Sequence, residues 1–242
     1  MGLRIDILTL FPEMFEGFCS TSIVGRAVER GLADIHRTNI RDFAVDAYGT
    51  VDDAPFGGGP GMVLMCEPVF NAVEHVRQQA EPPGKTILLC PQGKRLDQPM
   101  VQRLVGEQRL VLVCGHYEGF DERIRTHLAD EEISIGDFVL SGGEPAAMAL
   151  IDAVVRLLPG ALGKEASLHE ESFSTDLLEY PQYTRPRDFR GLKVPDVLLS
   201  GDHGRIAEWR REQAELRTQQ RRPDMWRRYQ QRSEEQQGES GR

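Results

Sequence analysis

Three short segments rich in glycine and polar side chains each follow an apolar run. Cys90-Pro91-Gln92-Gly93 closes residues 85–90, Gly115-His116-Tyr117-Glu118-Gly119 follows 109–114, and the stretch from Gly136 to Gly143 (GDFVLSGG) follows 132–135. Continuous apolar runs of this length suit strands of a parallel sheet covered on both faces, and in open α/β sheets ligands bind beyond the carboxyl ends of the strands. Three converging loops would make a pocket of backbone N–H and C=O groups, which glycine lets a ligand approach closely. Tight turns with no ligand are the plainer reading; three such loops in series favour a ligand site.

The ligand class follows in part by exclusion. The chain contains no GxxxxGK[ST], which removes a nucleotide-hydrolysing P-loop, and no GxGxxG opening a helix, which removes the dinucleotide fingerprint. The run Gly57-Gly58-Gly59-Pro60-Gly61 lacks a following Lys-Ser/Thr. It suits a loop that presents backbone donors to a flat or anionic group, or a mobile lid. An adenosine-type ligand held by backbone contacts suits this pocket better than a phosphate. Cys19, Cys66, Cys90 and Cys114 form no CxxC pair and the 6 histidines no HExxH spacing, so neither a disulfide framework nor a structural zinc site is expected, and a reducing cytoplasm fits.

The elements that must position these loops read as an α/β chain. Residues 3–10 form an apolar strand closed by Pro12, and 22–30 a helix capped by Ser22 and ended by Gly31. Residues 33–40 suit a strand, 52–62 only a loop, and 67–79 a helix. A strand at 85–90, a helix over 96–106 starting near Asp97, a strand at 109–114 and a third at 132–135 give the alternation of a parallel sheet. Residues 144–158 form a largely apolar helix ending at Pro159-Gly160. Residues 160–176 read as a linker; 205–218 and the stretch from Pro223 read as helices, with 230–242 frayed for want of apolar anchors.

Composition bounds the rest. The 242 residues have Lys+Arg 29 against Asp+Glu 38, a net charge of −9, and 40% are apolar, ordinary for one or two globular domains. The apolar runs fall well short of the ~20 residues of a membrane span, and Arg4 and Asp6 interrupt any signal-peptide core at the start. A cytoplasmic protein, neither membrane-spanning nor secreted, is the expectation. From Arg185 onward there are 14 basic and 10 acidic residues; residues 1–184 hold 15 and 28. Such asymmetry suits an acidic domain with a separate basic module for nucleic acid, or equally a solvated Arg-rich helical tail.

Taken in order, Val51-Asp52-Asp53, Phe56 to Met62 (FGGGPGM), Pro91-Gln92-Gly93, Cys114 to Arg123 (CGHYEGFDER), Ser134 to Glu144 (SIGDFVLSGGE), Tyr183-Thr184-Arg185-Pro186 and Val197 to His203 (VLLSGDH) resemble the bacterial TrmD-type tRNA (guanine-N1-)-methyltransferase family. The resemblance runs from Leu3 to about Trp226. It implies a SPOUT methyltransferase fold with a deep trefoil knot around residues 85–143, knots being very rare otherwise. It also implies a small helical C-terminal domain, with domains at 1–160 and 177–242 joined by a flexible linker at 161–176. A homodimer with its active sites at the subunit interface follows from the same likeness. The methyl donor is S-adenosylmethionine, contacted by Leu89, Pro91, Gly115, Tyr117, Glu118, Ile135, Gly136, Asp137, Phe138, Val139, Leu140, Gly142 and Gly143. The target is the guanosine immediately 3′ of the tRNA anticodon. Mg2+ is implied too, with Glu118 and Glu179 as acidic candidates and no recognisable metal cage.

Guanine N1 carries a proton at neutral pH, so attack on a sulfonium methyl needs a general base near N1. Charge then builds on O6, where a fixed cation stabilises the transition state. The residue matching the family's cation is Arg156, on the apolar helix 144–158; an Arg facing solvent there is the bland alternative. The family's base is an Asp before a Ser-Phe pair, and here Glu171 precedes Ser172-Phe173, one methylene longer; Glu170 and Asp176 are nearby alternatives. Asp52, Gly58, Gly59 and Pro60 are candidates to receive the extruded guanine. Arg185, Arg187, Lys193, His203, Arg205, Arg210, Arg217, Arg221 and Arg222 would meet phosphates, while Trp209 and Trp226 suit helix packing better than base stacking. A SPOUT enzyme acting on ribose 2′-OH or ribosomal RNA, and a non-catalytic RNA-binding protein of the same fold, are the competing readings.

Overall fold

The computed structural model describes residues 2–163 and 171–240, the last five as backbone only. The chain divides into two compact units, Met1–Gly163 and Lys164–Arg242.

The first unit is built on five strands: β1 (Leu3–Thr9), β2 (Ala33–Asn39), β5 (Lys85–Arg95), β6 (Arg109–Cys114) and β7 (Glu131–Ser134), in the order β2-β1-β6-β5-β7. Every pairing among them is parallel. A two-residue antiparallel pair, β3 (Asp52–Asp53) and β4 (Val63–Leu64), frames the glycine loop. Six helices belong to this unit: α1 (Glu16–Ser20), α2 (Ser22–Glu29), α3 (Cys66–Gln78), α4 (Gln98–Val105), α5 (Glu122–Leu128) and α6 (Glu144–Val155).

Side chains of β6 alternate between two cores. Leu110, Leu112 and Cys114 pack with residues of α2, α4 and α6, whereas Val111 and Val113 pack with residues of α3 and α5. Both faces of the sheet are therefore covered, which is why its strands read as unbroken apolar runs. The expected α/β architecture with a parallel sheet is what the chain adopts.

Several elements differ from the sequence reading. β5 does not stop at Cys90 but continues to Arg95, because β7 pairs with both of its ends. α6 stops at Val155, leaving Arg156 as its C-cap rather than an interior residue. Thr21, not Ser22, precedes α2, with no side-chain cap; Ser22 sits at φ +55° and Thr21 Oγ1 instead donates to Gly17 O at 2.7 Å. The seven-residue α5, absent from the reading, is capped by Asp121, whose carboxylate accepts from Arg123 N. That bond and the Arg123 guanidinium hold the Asp121 carboxyl well below the usual carboxylate range.

The second unit contains the hairpin β8 (Asp188–Phe189) and β9 (Leu192–Lys193), the short α7 (Asp196–Leu199), and two long helices, α8 (His203–Arg221) and α9 (Pro223–Ser240). α9 runs on through residues expected to fray. Trp226 stacks on Tyr229 at 5.4 Å between ring centres, and Tyr229 donates its hydroxyl to Glu215 of α8 at 3.0 Å.

A buried ion pair ties the sheet to α3. Arg109 and Asp6 are 2% and 0% exposed, and Arg109 Nε donates to Asp6 Oδ2 at 2.8 Å. The remaining guanidinium N–H groups donate to the carbonyls of Val76 and Ala80 and, at 3.2 Å, of Pro82. Arg4 also holds the Asp6 carboxylate, through contacts of 2.9 and 3.0 Å, so it is the loss of Asp6 that strands a buried charge, that of Arg109. Asp6→Asn is therefore expected to lower unfolding free energy by about 3–5 kcal/mol, measured as a lower urea midpoint at unchanged slope; a midpoint like wild type would show that the pair contributes nothing.

Candidate active site

The carboxyl ends of β5, β6 and β7 come together so closely that main chain packs on main chain. β5 pairs with β7 through Leu89↔Ile133 and then, after a register shift, through Lys94↔Ile133. Residues 90–93 are thus a bulge inside the strand, not a loop after it as the sequence suggested. A Cβ on Gly93 would collide with the backbone of Glu132 and Ile133. Gly143 N donates to Gly115 O at 2.7 Å, and a Cβ on Gly143 would lie 2.8 Å from Cys114 Cα and from Gly115 N. Glycine is required at both positions by close approach, whatever ligand follows.

The loop 115–119 is also tied to the glycine-rich segment. Glu118 N donates to Met62 O and Leu64 N to Gly119 O, both at 2.9 Å. Tyr117 lies at φ +60°. Burial, and then a hydrogen bond with Asp52, pushes the Tyr117 hydroxyl up from its ordinary range. Asp52, expected at the base-receiving side, therefore touches a residue expected at the donor side. Gly58, Gly59 and Pro60 are exposed in the loop between β3 and β4.

These ends enclose a cavity of about 230 Å³. Of the residues expected at a donor site, Leu89, Pro91, Gly115, Tyr117, Glu118, Ile135, Gly136, Phe138, Val139, Leu140, Gly142 and Gly143 line it; Asp137 does not. The sequence reading missed Cys90, Gln92, His116, Phe120, Arg125, Ser134, Ser141 and Ala146 among the lining residues. Cys90, Gln92, His116 and Ser141 lie inside the three segments already singled out. Arg125 had no such signal, because it reaches the cavity from α5.

Glu118 is the acidic residue of the lining. Arg125 pairs with Glu132, and Cys90 Sγ donates to Glu132 at 3.0 Å. Burial, reinforced by Glu132, raises the Cys90 thiol, and burial with the Glu144 charge raises that of Cys114 well above its ordinary value. Both thiols stay protonated, so neither is a nucleophile at neutral pH. Glu144, 1% exposed at the start of α6, accepts from Thr9 Oγ1 at 2.7 Å and lies 3.8 Å from His116 Nε2. Concave, and lined by glycines together with apolar and aromatic residues such as Leu89, Ile135, Phe138 and Leu140, the cavity has the character of a small-molecule site.

Arg156 sits elsewhere. α6 spans 12 residues, about 18 Å, and the cavity is at its first turn while Arg156 caps its last. In the second unit, Glu171 begins a turn in which Ser174 Oγ donates to Glu171 O at 2.6 Å. Residues 171–176, part of the expected linker, carry regular hydrogen bonds: Phe173 N donates to Leu177 O and Glu179 N to Ser172 Oγ, both at 3.0 Å. Asp176 is engaged by Arg228 and Arg232; Glu170 lies outside the described residues. Arg185, Arg187, Lys193, His203, Arg205 and Arg221 are exposed, and Arg217 is half-buried. Arg222 pairs with Asp224 at 2.7 Å and Arg210 covers the Tyr180 ring at 4.6 Å. Trp209 lies 6.4 Å from Tyr183. Among the described residues no cluster of three or more His, Cys, Asp or Glu could hold a metal. Glu118 and Glu179 sit in different units, and Glu179 accepts from Gln182. The side chains present do not fit a magnesium cage. No helix of the described residues is long and apolar enough to cross a membrane.

With this geometry in place, the comparisons with known proteins agree with one another. The family model described as tRNA (Guanine-1)-methyltransferase TrmD matches residues 3–228. A "tRNA (guanine-N(1)-)-methyltransferase" of Brevibacillus brevis is 59% identical over 223 residues, 92% of this chain and 91% of that protein. A protein of the same description from Pelotomaculum thermopropionicum is 59% identical over 224 residues, covering 92% and 89%. The crystal structure of a tRNA (m1G37) methyltransferase from Aquifex aeolicus superposes with a TM-score of 0.77 at 40% identity, covering 91% of this chain and 94% of that one. A match along nearly the whole length, on a parallel sheet whose strand ends enclose a cavity, places this chain in the tRNA (guanine-1)-methyltransferase TrmD family.

Proposed function

We propose that this chain transfers the methyl group of S-adenosylmethionine to N1 of the guanosine at position 37 of tRNA, giving 1-methylguanosine. The observation that carries the reading is the cavity at the ends of β5, β6 and β7, in a chain that matches the family over residues 3–228. The donor supplies an electrophilic methyl on a sulfonium; the chain holds it by shape, since the cavity wall offers no free thiolate. The segments around residues 85–143 would form the family's trefoil knot, a reading supported by the missing room for a Cβ at Gly93 and Gly143. A SPOUT domain over 1–160, a linker at 161–176 and a helical tRNA-binding domain over 177–242 are the corresponding parts. The cytoplasm is the compartment this activity implies.

Glu171 takes the proton from guanine N1, and Arg156 offsets the charge that then builds on O6. Asp52 with the Gly58-Gly59-Pro60 backbone receives the base after it leaves its stack. Arg156 caps the end of α6 remote from the cavity of its own chain. The reaction therefore needs the Arg156 of a second copy, and we infer a homodimer with composite sites. Exposed Arg185, Arg187, Lys193, His203, Arg205 and Arg221 supply the phosphate contacts; Arg222, already in an ion pair, is the weaker candidate. Magnesium plays no part in this scheme.

Unmodified tRNA bearing that guanosine, incubated with labelled donor, is expected to yield 1-methylguanosine on nucleoside analysis; a 2′-O-methylated nucleoside or no transfer would refute the assignment. Chains carrying Gly143→Ala and chains carrying Arg156→Ala are each expected to be inactive. Mixed and reassociated, they should recover about a quarter of wild-type activity, since half the dimers carry one intact site. No recovery would place the whole site within one chain. Binding of tRNA, followed by fluorescence anisotropy, should weaken with salt by about 0.7–0.9 log units per tenfold salt for each phosphate contact; salt-independent affinity would remove the basic surface from the recognition scheme.

A further inference from the structure

The turn that carries Glu171 is fastened to α8 and α9 by groups that the methyl-transfer reading leaves unused. Asp176 lies at φ +58°, in the left-handed region that glycine occupies at least cost. Its carboxylate is held from α9: Oδ1 is 3.9 Å from Arg228 Nε, and Oδ2 is 2.6 Å from Arg232 Nη1. Oδ2 is buried without a hydrogen bond of regular geometry, so charge is what holds it. From α8, the fully buried Thr218 donates Oγ1 to Ala214 O at 2.7 Å and accepts from Leu178 N at 2.8 Å. The Arg222 guanidinium lies over the Phe173 ring, 5.9 Å from its centre.

A glycine at residue 176 would satisfy the backbone equally well and leave the turn free to move. An aspartate with two arginine partners removes that freedom. We propose that Asp176 is a positioning residue, and that its ion pairs with Arg228 and Arg232, together with Thr218, fix where the Glu171 carboxylate is presented to the reacting base. The inference rests on Glu171 as the proton acceptor and adds what holds it. It also assigns Arg228 and Arg232 to the turn rather than to phosphate binding.

Asp176→Asn removes the charge and keeps both the size and the tolerance of left-handed backbone; Thr218→Val deletes the buried hydroxyl that Thr218→Ser retains. In single-turnover methyl transfer with tRNA and donor saturating, Asp176→Asn and Thr218→Val are expected to slow the rate constant by about ten- to a hundred-fold, the scale of an ångström of misplacement. Thr218→Ser should restore it. The KM for tRNA and the donor Kd should remain at wild-type values, which general unfolding would not allow. Wild-type rates in Asp176→Asn and Thr218→Val, beside a slow Glu171→Gln, would overturn the positioning role alone. A Glu171→Gln enzyme at full rate would overturn the base assignment and this inference with it.

Discussion

The feature on which the rest of the first unit depends is backbone-to-backbone contact at the carboxyl ends of three adjacent strands. Gly93 lies on the main chain of β7, and Gly143 on the main chain at the end of β6, at separations that exclude a methyl group. Because no side chain fits at these two positions, the three segments close on one another and the cavity forms among the residues that flank them. The same contact sets where α6 begins, since the Gly143 N–H is committed to Gly115 O. Glu144 is then buried in the first turn of α6, where the positive end of the helix dipole favours a carboxylate. Thr9 and His116 flank it, linking β1, β6 and α6 at one point.

Charge is divided between the two units in a way the net value conceals. The cavity wall carries one acidic lining residue, Glu118, while its thiols are protonated and its lining arginine is paired with Glu132. The cations lie toward the other end of the chain, but the surplus of basic residues after Arg185 overstates what is available to a polyanion. Arg222, Arg228 and Arg232 are engaged with Asp224 or Asp176. The exposed cations begin at Arg185 and recur along α8 and into α9, Arg211, Arg221 and Arg227 among them. An overall charge of −9 thus averages an acidic sheet domain with a module whose cations are partly exposed and partly engaged in ion pairs.

Strands β1, β2, β6 and β7 and helices α3, α4 and α8 were legible, because burial on both sheet faces leaves continuous apolar runs and because Asp97 caps α4 as its spacing indicates. The three loops were legible as a group for the same reason. What escaped was set by pairing rather than composition. The continuation of β5 past Pro91 exists only because β7 pairs twice with it, and no single segment records its partner's register. α5 is too short for periodicity to show. The Asp6–Arg109 pair, 103 residues apart, looks in sequence like two ordinary surface charges. The role of Arg156 was taken from a motif, and its distance from the cavity became visible only once α6 had a direction.

That distance constrains how any chemistry at the site can be organised. α6 is apolar along most of its length, with Ala146, Ala147, Leu150, Ile151, Val154 and Val155 all buried, so it acts as a rigid rod and cannot fold its C-cap back to its N-terminus. A reaction that uses both the cavity and Arg156 must therefore draw them from two copies of the chain. In the proposed dimer one helix would serve two sites, closing the donor cavity of its own chain with its first turn and delivering a cation to the other with its last. A separate unit carrying the base suits such a scheme. The cavity already holds the Glu118 carboxylate in its wall, so a proposed base carried on a separate turn keeps the proton acceptor distinct from the charge that the cavity holds at all times.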